Sequence, residues 1–377
     1  MTHWSQLPGG SVDPDVKPTT NGHPVEKFDL ATVPIPKVWK ATDLKRAAQP
    51  SWIAKRWIPR AAPTVFCGDE GIGKSLYDMR IVAAITNGNP LPDIGLPKRD
   101  PLPVLLAAIT EEDWSSIVLP RLEVAGADLD MIKVICTGED GSGPPVFPRD
   151  FDLIRELTPK PALIVVDSWL DTLSMGTTAR DSQSAAAALA PWTDLATTTD
   201  AGIILLTPTN RMGTGDIRDR YGVTQHLRKK ARSTLFGIRD DETDLLVVGP
   251  DKANNTTPDY ANLYRVELVQ HWERTVDDDG TVGRLEYVAK SDRTIRDWVS
   301  DKFEDPDGGN QTELDKAVEW LRDYLLREQP IDSRDVKKDA EEAKIKSRTL
   351  RRARQRLTVV IESVKGVTPY TATWRLP

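Results

Sequence analysis

The chain has 377 residues, of which 39% are hydrophobic, and this length can bury one large α/β core and a smaller second unit. Its formal net charge of −7 argues against a protein that nucleic acid covers over the whole surface, and its two cysteines, Cys67 and Cys136, exclude a disulfide framework. Because no apolar stretch reaches the roughly 18 to 20 residues of a membrane span, we expect no membrane partner.

Residues 1–38 are rich in proline, which predicts an extended or disordered arm. Four short apolar runs then have the length of strands buried on both faces: residues 64–67, 104–109, 163–166 and 203–206. Helical patterns fall between them at residues 75–86, 115–125 and 184–197. The alternation predicts an α/β fold over residues 39–300, with a mainly parallel central sheet flanked by helices.

The segment GDEGIGKS after the first strand fits the pattern G-x-x-x-x-G-K-[ST]. Its glycines allow backbone N–H groups to curl around an anion at a helix N-terminus, so the segment is typical of a loop that holds the phosphates of ATP. Lys74 would reach the β and γ phosphates, and the Ser75 hydroxyl would bind Mg²⁺. The predicted nucleotide-binding residues are Gly68, Asp69, Glu70, Gly71, Ile72, Gly73, Lys74, Ser75 and Leu76.

Acidic residues follow two of the other predicted strands. The run LIVV ends in Asp167, which a buried strand would deliver to the metal beside the phosphate loop, although an aspartate here would also suit a helix cap. The run at 104–109 is followed by Thr110, Glu111, Glu112 and Asp113. We expect this strand to lie beside the phosphate-loop strand, with Glu112 as general base and Glu111 as its competitor. The alternative is that these acids complement the dipole of the next helix.

The fourth strand ends in polar residues, and the stretch RMGTGDIRDRY at 211–221 follows it. Glycines mixed with arginines favour a surface loop that tracks a nucleic-acid backbone, and an ordinary solvated loop is the alternative.

The C-terminal part of the chain is its basic part. After a predicted linker at 301–311, residues 312–377 suggest three helices and a final strand, a pattern similar to winged-helix DNA-binding domains. The third helix, at 347–357, places Leu350, Ala353 and Leu357 on one stripe. Seven basic residues and no acidic one lie between Lys344 and Ile361. The interpretation as a DNA contact competes with that of a solvated helix face.

Over roughly residues 41–290 the sequence resembles the RecA-like ATPase core of ring helicases of the RepA and DnaB type. The resemblance is carried by GDEGIGKS, TEEDW with RLEVAGADLD downstream, LIVVDSWLDTL and DKANN. It implies phosphate and metal roles for Lys74, Ser75 and Asp167, with ATP and Mg²⁺ as cofactors, and a catalytic role for Glu112. It also implies a homo-oligomer, a hexameric ring in the cytoplasm of a bacterium or a phage-infected cell.

In such rings a neighbouring subunit contributes a basic finger to the γ-phosphate, and by position the candidates are Arg232 and Lys252, unless both are solvated bases near a strand end. Relatives often have a His-His pair after the fourth strand, where this chain has TPTNR. The departure leaves Asn210 as the expected γ-phosphate sensor, with Thr207 next.

The combined prediction is an ATP-dependent helicase or translocase in DNA replication, acting on single-stranded and possibly forked DNA. The alternative is a regulatory or loading ATPase that binds DNA under nucleotide control and does not unwind it. A strand-exchange recombinase is a weaker alternative because no filament-type N-terminus is recognisable, and the lack of an N-K-x-D motif disfavours a small GTPase.

Overall fold

The computed structural model describes residues 19–20, 23–24, 38–44, 49–107, 113–173, 182–209, 225–253, 259–303, 311–327, 329–364 and 371–377. The chain divides into two compact units, Met1–Gln49 and Pro50–Pro377. The described part of the first unit contains two short paired antiparallel strands, β1 (Thr19–Thr20) and β2 (His23–Pro24), and a 3-10 turn at Ala41–Asp43. Most of the predicted arm at 1–38 lies outside the described residues.

The second unit contains the remaining strands and all the α-helices of the described residues. The strands are β3 (Trp52–Ala54), β4 (Ile58–Pro59), β5 (Ala62–Gly68), β6 (Val104–Ala107), β7 (Ile132–Ile135), β8 (Leu163–Val166), β9 (Gly202–Pro208), β10 (Ser233–Arg239), β11 (Leu246–Ala253), β12 (Asn262–Gln270), β13 (Thr281–Lys290), β14 (Ile331–Asp332), β15 (Val360–Val364) and β16 (Thr371–Arg375). The helices are α1 (Lys74–Thr86), α2 (Leu119–Ala125), α3 (Phe151–Glu156), α4 (Ser182–Thr199), α5 (Gln225–Lys230), α6 (Ile295–Phe303), α7 (Gln311–Arg327), α8 (Ser333–Glu342) and α9 (Ser347–Arg356).

A nine-stranded sheet with the order β13-β12-β11-β10-β5-β9-β8-β6-β7 forms the centre of this unit. The strands from β10 to β7 in this order are parallel, and β11, β12 and β13 extend the sheet antiparallel. Consecutive residues of β5 face opposite sides of the sheet, so Phe66 packs in the cluster that contains α1 and Val65 in the cluster that contains α4. The predicted α/β fold with a mainly parallel sheet is confirmed.

The strand order corrects one expectation. The sequence predicts β6 beside the phosphate-loop strand, but β9 and β8 lie between β6 and β5. The alternation of strands and helices predicts parallel strands without predicting their order, because a crossover connection can pass over neighbouring strands.

The helix predicted at 115–125 is shorter than expected. Regular α-helix begins at Leu119, and Trp114–Val118 form a single π-helical turn whose first N–H groups include that of Ser116, bound by the Asp113 side chain. Pro120 lacks an N–H and is favourable only in the first turn of an α-helix, so the regular helix starts at this position. Within the described residues, no helix combines the length and apolarity needed to cross a membrane.

The C-terminal segment has a small core of its own. The elements follow the order α7, β14, α8, α9, β15, β16, and the three strands form an antiparallel sheet with β16 in the middle. Leu350 and Ala353 of α9 are buried with Leu321, Val336 and Trp374. This is the order of elements in a winged-helix unit, and α9 occupies the position of its recognition helix. We call residues 311–377 the C-terminal unit.

Candidate active site

Two glycines shape the loop between β5 and α1. Gly73 precedes the helix with a φ of 102°, a conformation that side chains other than glycine rarely adopt. A Cβ atom at Gly68 would lie 2.8 Å from the carbonyl oxygen of Gly237 and 2.7 Å from the side chain of Ile72. The loop therefore needs glycine at both positions to bring its backbone N–H groups to the start of α1.

The Lys74 ammonium group lies inside this loop. Its Nζ donates hydrogen bonds to the carbonyl oxygens of Gly68 at 2.9 Å and Asp69 at 2.7 Å. Burial lowers the pKa of Lys74, and the negative charge of Asp167 opposes this effect. Bonds to two backbone carbonyls can be exchanged for bonds to phosphate oxygens without leaving an unpaired carboxylate.

Ser75 and Asp167 meet at the carboxyl ends of the strands. The Ser75 hydroxyl donates a hydrogen bond of 2.6 Å to Oδ2 of Asp167, which follows β8 directly. A hydroxyl beside a carboxylate is an oxygen donor set that suits Mg²⁺. Within the described residues, no group of three or more His, Cys, Asp or Glu side chains could hold a metal ion, so Ser75 and Asp167 would hold Mg²⁺ together with phosphate and water oxygens.

The other predicted residues of the loop differ in exposure. Ile72 is buried, Leu76 is half-buried and packs against the main core, and Glu70 and Gly71 are exposed. Asp69 accepts a hydrogen bond from the hydroxyl of Thr209, so the loop is tied to the end of β9.

The predicted sensor and base can be placed only in part. Thr207 is buried, and its hydroxyl donates to the carbonyl oxygen of Pro208. Asn210, the loop at 211–221, Glu111 and Glu112 lie outside the described residues. The expectations for them remain predictions.

Asp78, one turn into α1, was not identified from the sequence. It is 1% exposed, and neither carboxylate oxygen has a hydrogen-bond partner among the described residues. Burial raises its pKa well above the ordinary value, and the charge of Asp167 acts in the same direction. The available signal was a single carboxylate among apolar residues of a buried helix, as in the sequence YDMRIVAA.

The two finger candidates lie at the opposite edge of the sheet from the phosphate loop. Arg232 is exposed and directly precedes β10, whose first residue, Ser233, pairs with Thr64. Thr64 is four residues before Gly68 in β5, which corresponds to roughly 13 Å. The described subunit therefore keeps Arg232 away from its own phosphate loop.

Lys252, in β11, is engaged within its own subunit. Its Nζ donates to the carbonyl oxygens of Arg228, Lys229 and Ala231 at 3.1, 3.0 and 2.7 Å, and these carbonyls lie at the end of α5. Burial lowers the pKa of Lys252. The amine thus satisfies carbonyl groups that the end of a helix leaves without partners.

A buried ionic network lies beside this helix end. Asp251 is fully buried and accepts hydrogen bonds from Arg228 and from Nε of Arg296, the latter at 2.7 Å. Burial alone would raise the pKa of Asp251, but the hydrogen bonds and charges of the two arginines outweigh it and hold the pKa below its ordinary value. The network fixes the connection between α5 and β11.

An acidic turn (residues 240–242) between β10 and β11 contacts the C-terminal unit. Asp241 forms ion pairs with Lys302 of α6 at 2.7 Å and with Arg351 of α9 at 2.6 Å. Nη1 of Arg351 also donates to the carbonyl oxygens of Asp301 and Lys302. One of the predicted DNA-facing arginines is therefore bound to the ATPase part of the chain.

Glu242 forms the second half of this contact. It pairs with Lys337 of α8 at 3.0 Å and with Arg354 of α9 at 2.5 Å. The Arg354 side chain is only 4% exposed, and its guanidinium lies over the ring of Trp374. We call the contacts of Asp241 and Glu242 the docking contact.

Other basic residues of the C-terminal unit remain accessible. Arg356 is exposed and pairs with Asp315, Arg352 is half-buried, and Lys344 and Lys346 are exposed. The side chain of Arg348 lies outside the described residues.

The central sheet, the phosphate loop and the Ser75–Asp167 pair define a P-loop NTPase with a RecA-like fold. Comparison with known families agrees, because residues 30–211 match the AAA domain family over slightly less than half of the chain. This part of the chain is an AAA domain. Among solved structures, the chain is similar to the ATPase domain of a replicative helicase, with 10% identity, 54% of this chain and 81% of that chain covered, and a TM-score of 0.37. No curated protein matches the chain.

Proposed function

We propose that the chain is the motor subunit of a ring-shaped, ATP-dependent DNA helicase or translocase. The observation that carries the proposal is the separation of the phosphate loop from Arg232, which lie at opposite edges of one sheet. An exposed arginine that is kept from its own nucleotide site is placed to serve the site of a neighbouring subunit. Hydrolysis would then depend on assembly, since the finger stabilises the transition-state charge.

The residues of one subunit divide the work at the phosphates. Lys74 moves from the carbonyls of Gly68 and Asp69 to the phosphate oxygens, and Ser75 and Asp167 hold the metal. Bound Mg²⁺ supplies positive charge that neutralises the phosphates. Glu112 takes the proton of the attacking water. Arg232 of a neighbouring subunit completes the site.

The contacts of Lys252 favour Arg232 as the finger. Lys252 would have to leave three carbonyl groups at the end of α5, which would then lack partners, whereas Arg232 is already exposed. Lys252 is better explained as the residue that holds the α5 end in place beside Arg232.

Mixing two inactive variants tests this assignment. Lys74→Ala subunits keep the finger but lose phosphate binding, and Arg232→Ala subunits keep the phosphate site but lose the finger. Each alone should show little DNA-stimulated ATP hydrolysis, and a mixture should recover part of the activity because mixed interfaces contain one intact site. Lys230→Ala, which removes an exposed charge two residues away, should remain active.

Three outcomes would contradict the proposal. Turnover by Arg232→Ala alone at the wild-type rate would remove the finger role. An inactive mixture of variants that both assemble would exclude action between subunits. A wild-type chain that binds single-stranded and forked DNA with ATP but neither hydrolyses faster nor unwinds would exclude the motor.

The docking contact favours a second candidate, a nucleotide-switched DNA-binding ATPase without unwinding activity. The acidic turn begins three residues after Gly237, which pairs with Gly68 of the phosphate loop. Two arginines of the recognition helix are therefore tied to a turn close to the nucleotide edge. DNA affinity that changes with nucleotide, measured by fluorescence anisotropy, without strand separation on a forked substrate would favour this candidate.

A further inference from the structure

Asp78 shares a small cavity with the two residues expected to hold the metal. The cavity has a volume of about 10 Å³ and is lined by Ser75, Asp78 and Asp167 together with Met79 and the ends of β6 and β8. Its polar lining consists of one hydroxyl and two carboxylates. Asp78 supplies the carboxylate on the inner side, one helical turn beyond Ser75.

A buried carboxyl group without a partner is unfavourable. Leaving it unsatisfied costs about 1 to 3 kcal/mol, and an apolar side chain at this position of α1 would avoid that penalty. Residues Tyr77 and Met79 on either side are buried, so the helix itself does not require a polar group here. The carboxylate of Asp78 is therefore expected to act on something that enters the cavity.

The size and lining of the cavity select a single water molecule. A water needs roughly 10 to 15 Å³ and two to four polar partners, and Ser75, Asp78 and Asp167 together offer three. Mg²⁺ retains several of its waters in protein sites and depends on groups that bind those waters. A cavity bordered by both expected metal-holding residues is where such a water would lie.

We propose that Asp78 is a positioning residue of the magnesium site, which holds one water in this cavity and through it supports the Ser75–Asp167 pair when metal and nucleotide bind. The inference rests on the proposed nucleotide site. It assigns Asp78 a role in metal affinity and none in contact with the reacting phosphate.

Direct measurement of metal binding tests the assignment. Mn²⁺ replaces Mg²⁺, and its EPR signal reports the free ion in titrations of the protein–ADP complex. Asp78→Asn keeps the shape and removes the charge, and we expect it to weaken Mn²⁺ binding roughly 10- to 100-fold. ADP binding in EDTA should stay within about twofold of wild type.

Asp78→Leu separates positioning from packing. This variant removes the buried polar group, so its nucleotide-free form should unfold at a higher temperature than wild type while its Mn²⁺ affinity falls as in Asp78→Asn. A purely structural carboxyl would lower both quantities together. Met79→Leu changes the same cavity wall without charge and should bind Mn²⁺ like wild type. Asp78→Leu also carries the test if Asp78→Asn does not fold.

The possible failures can be told apart. If the wild-type protein–ADP complex binds Mn²⁺ and both Asp78 variants bind it equally well, the role of Asp78 is excluded while the nucleotide site stands. If Met79→Leu weakens Mn²⁺ binding as much as Asp78→Asn does, packing explains the effect and the assignment is wrong. If wild type with ADP binds no Mn²⁺, the proposed function fails with it.

Discussion

The phosphate edge of the sheet and the docking contact use charge in opposite ways. At the phosphate edge, the Lys74 amine donates to backbone carbonyls, and Asp78 has no hydrogen-bond partner within the described residues. At the docking contact, Asp241 and Glu242 each pair with two basic side chains. The first arrangement suits a ligand, and the second holds two parts of one chain together.

This difference separates two kinds of experimental result. Substitutions at the phosphate edge should change nucleotide binding or turnover and leave the fold intact, because the groups there make few structural contacts. Substitutions of paired charges should change stability or the position of the C-terminal unit and leave nucleotide affinity intact. A substitution that changes both quantities would break the comparison.

The largest effect is expected for Glu112→Gln. Removal of the general base should slow ATP hydrolysis roughly 10²- to 10⁴-fold while ATP affinity and thermal stability stay at wild-type values, since the phosphate loop remains intact. Single-turnover hydrolysis and nucleotide titration measure the two quantities. Glu111→Gln is the matched control, and a larger loss in that variant would transfer the role to Glu111.

The next effect is expected for Asp251→Asn, which leaves Arg228 and Arg296 without their shared partner. Breaking such a buried ion pair should reduce the free energy of unfolding by about 3 kcal/mol at neutral pH. The folded-state pKa of Asp251 is depressed, so its contribution is present above the unfolded value of about 3.9 and is lost as pH falls through the folded value. Urea unfolding should therefore show a difference that shrinks in acid.

Asp152→Asn is the control for this measurement, because its pair with Arg155 is exposed. A difference between wild type and Asp251→Asn that grew as the pH fell would contradict the assigned direction of the pKa shift.

A smaller effect is expected for Glu242→Gln at the docking contact. Loss of the pairs with Lys337 and Arg354 should weaken docking by about 2 kcal/mol, seen as faster amide hydrogen exchange in α9, with unchanged nucleotide affinity. Asp244→Asn lies in the same connection but its side chain is 81% exposed, so it should change exchange little. Equal exchange in Glu242→Gln and wild type would show that the docking contact does not hold the unit.

The smallest effect is expected for Arg352→Ala on the accessible side of α9. If this face contacts a phosphate backbone, DNA affinity should fall uniformly across sequences and the slope of log affinity against log salt should decrease by about 1. Arg322→Ala, an exposed arginine of α7, should leave the slope unchanged. Equal slopes for Arg352→Ala and wild type would place DNA elsewhere.

The sequence predicted the phosphate loop, β8 and the proximity of Ser75 to Asp167, because each depends on local patterns and on parallel strands ending at one edge. It did not predict that β8 and β9 separate β6 from β5, since strand order is not encoded in the alternation. Asp78 was missed because its burial depends on the strands below α1. The docking contact was missed because it joins residues far apart in the chain, such as Arg351 and Asp241, which are 110 positions apart.

Strand β10 connects three features that are remote in space. Arg232 precedes its first residue, Gly237 in its second half lies against the phosphate loop, and the acidic turn follows its last residue. A strand of seven residues spans about 20 Å and is stiff along its length because both neighbours bond to it. In the proposed ring, displacement of the finger end of β10 toward a neighbouring nucleotide would therefore also shift the base on which the C-terminal unit stands.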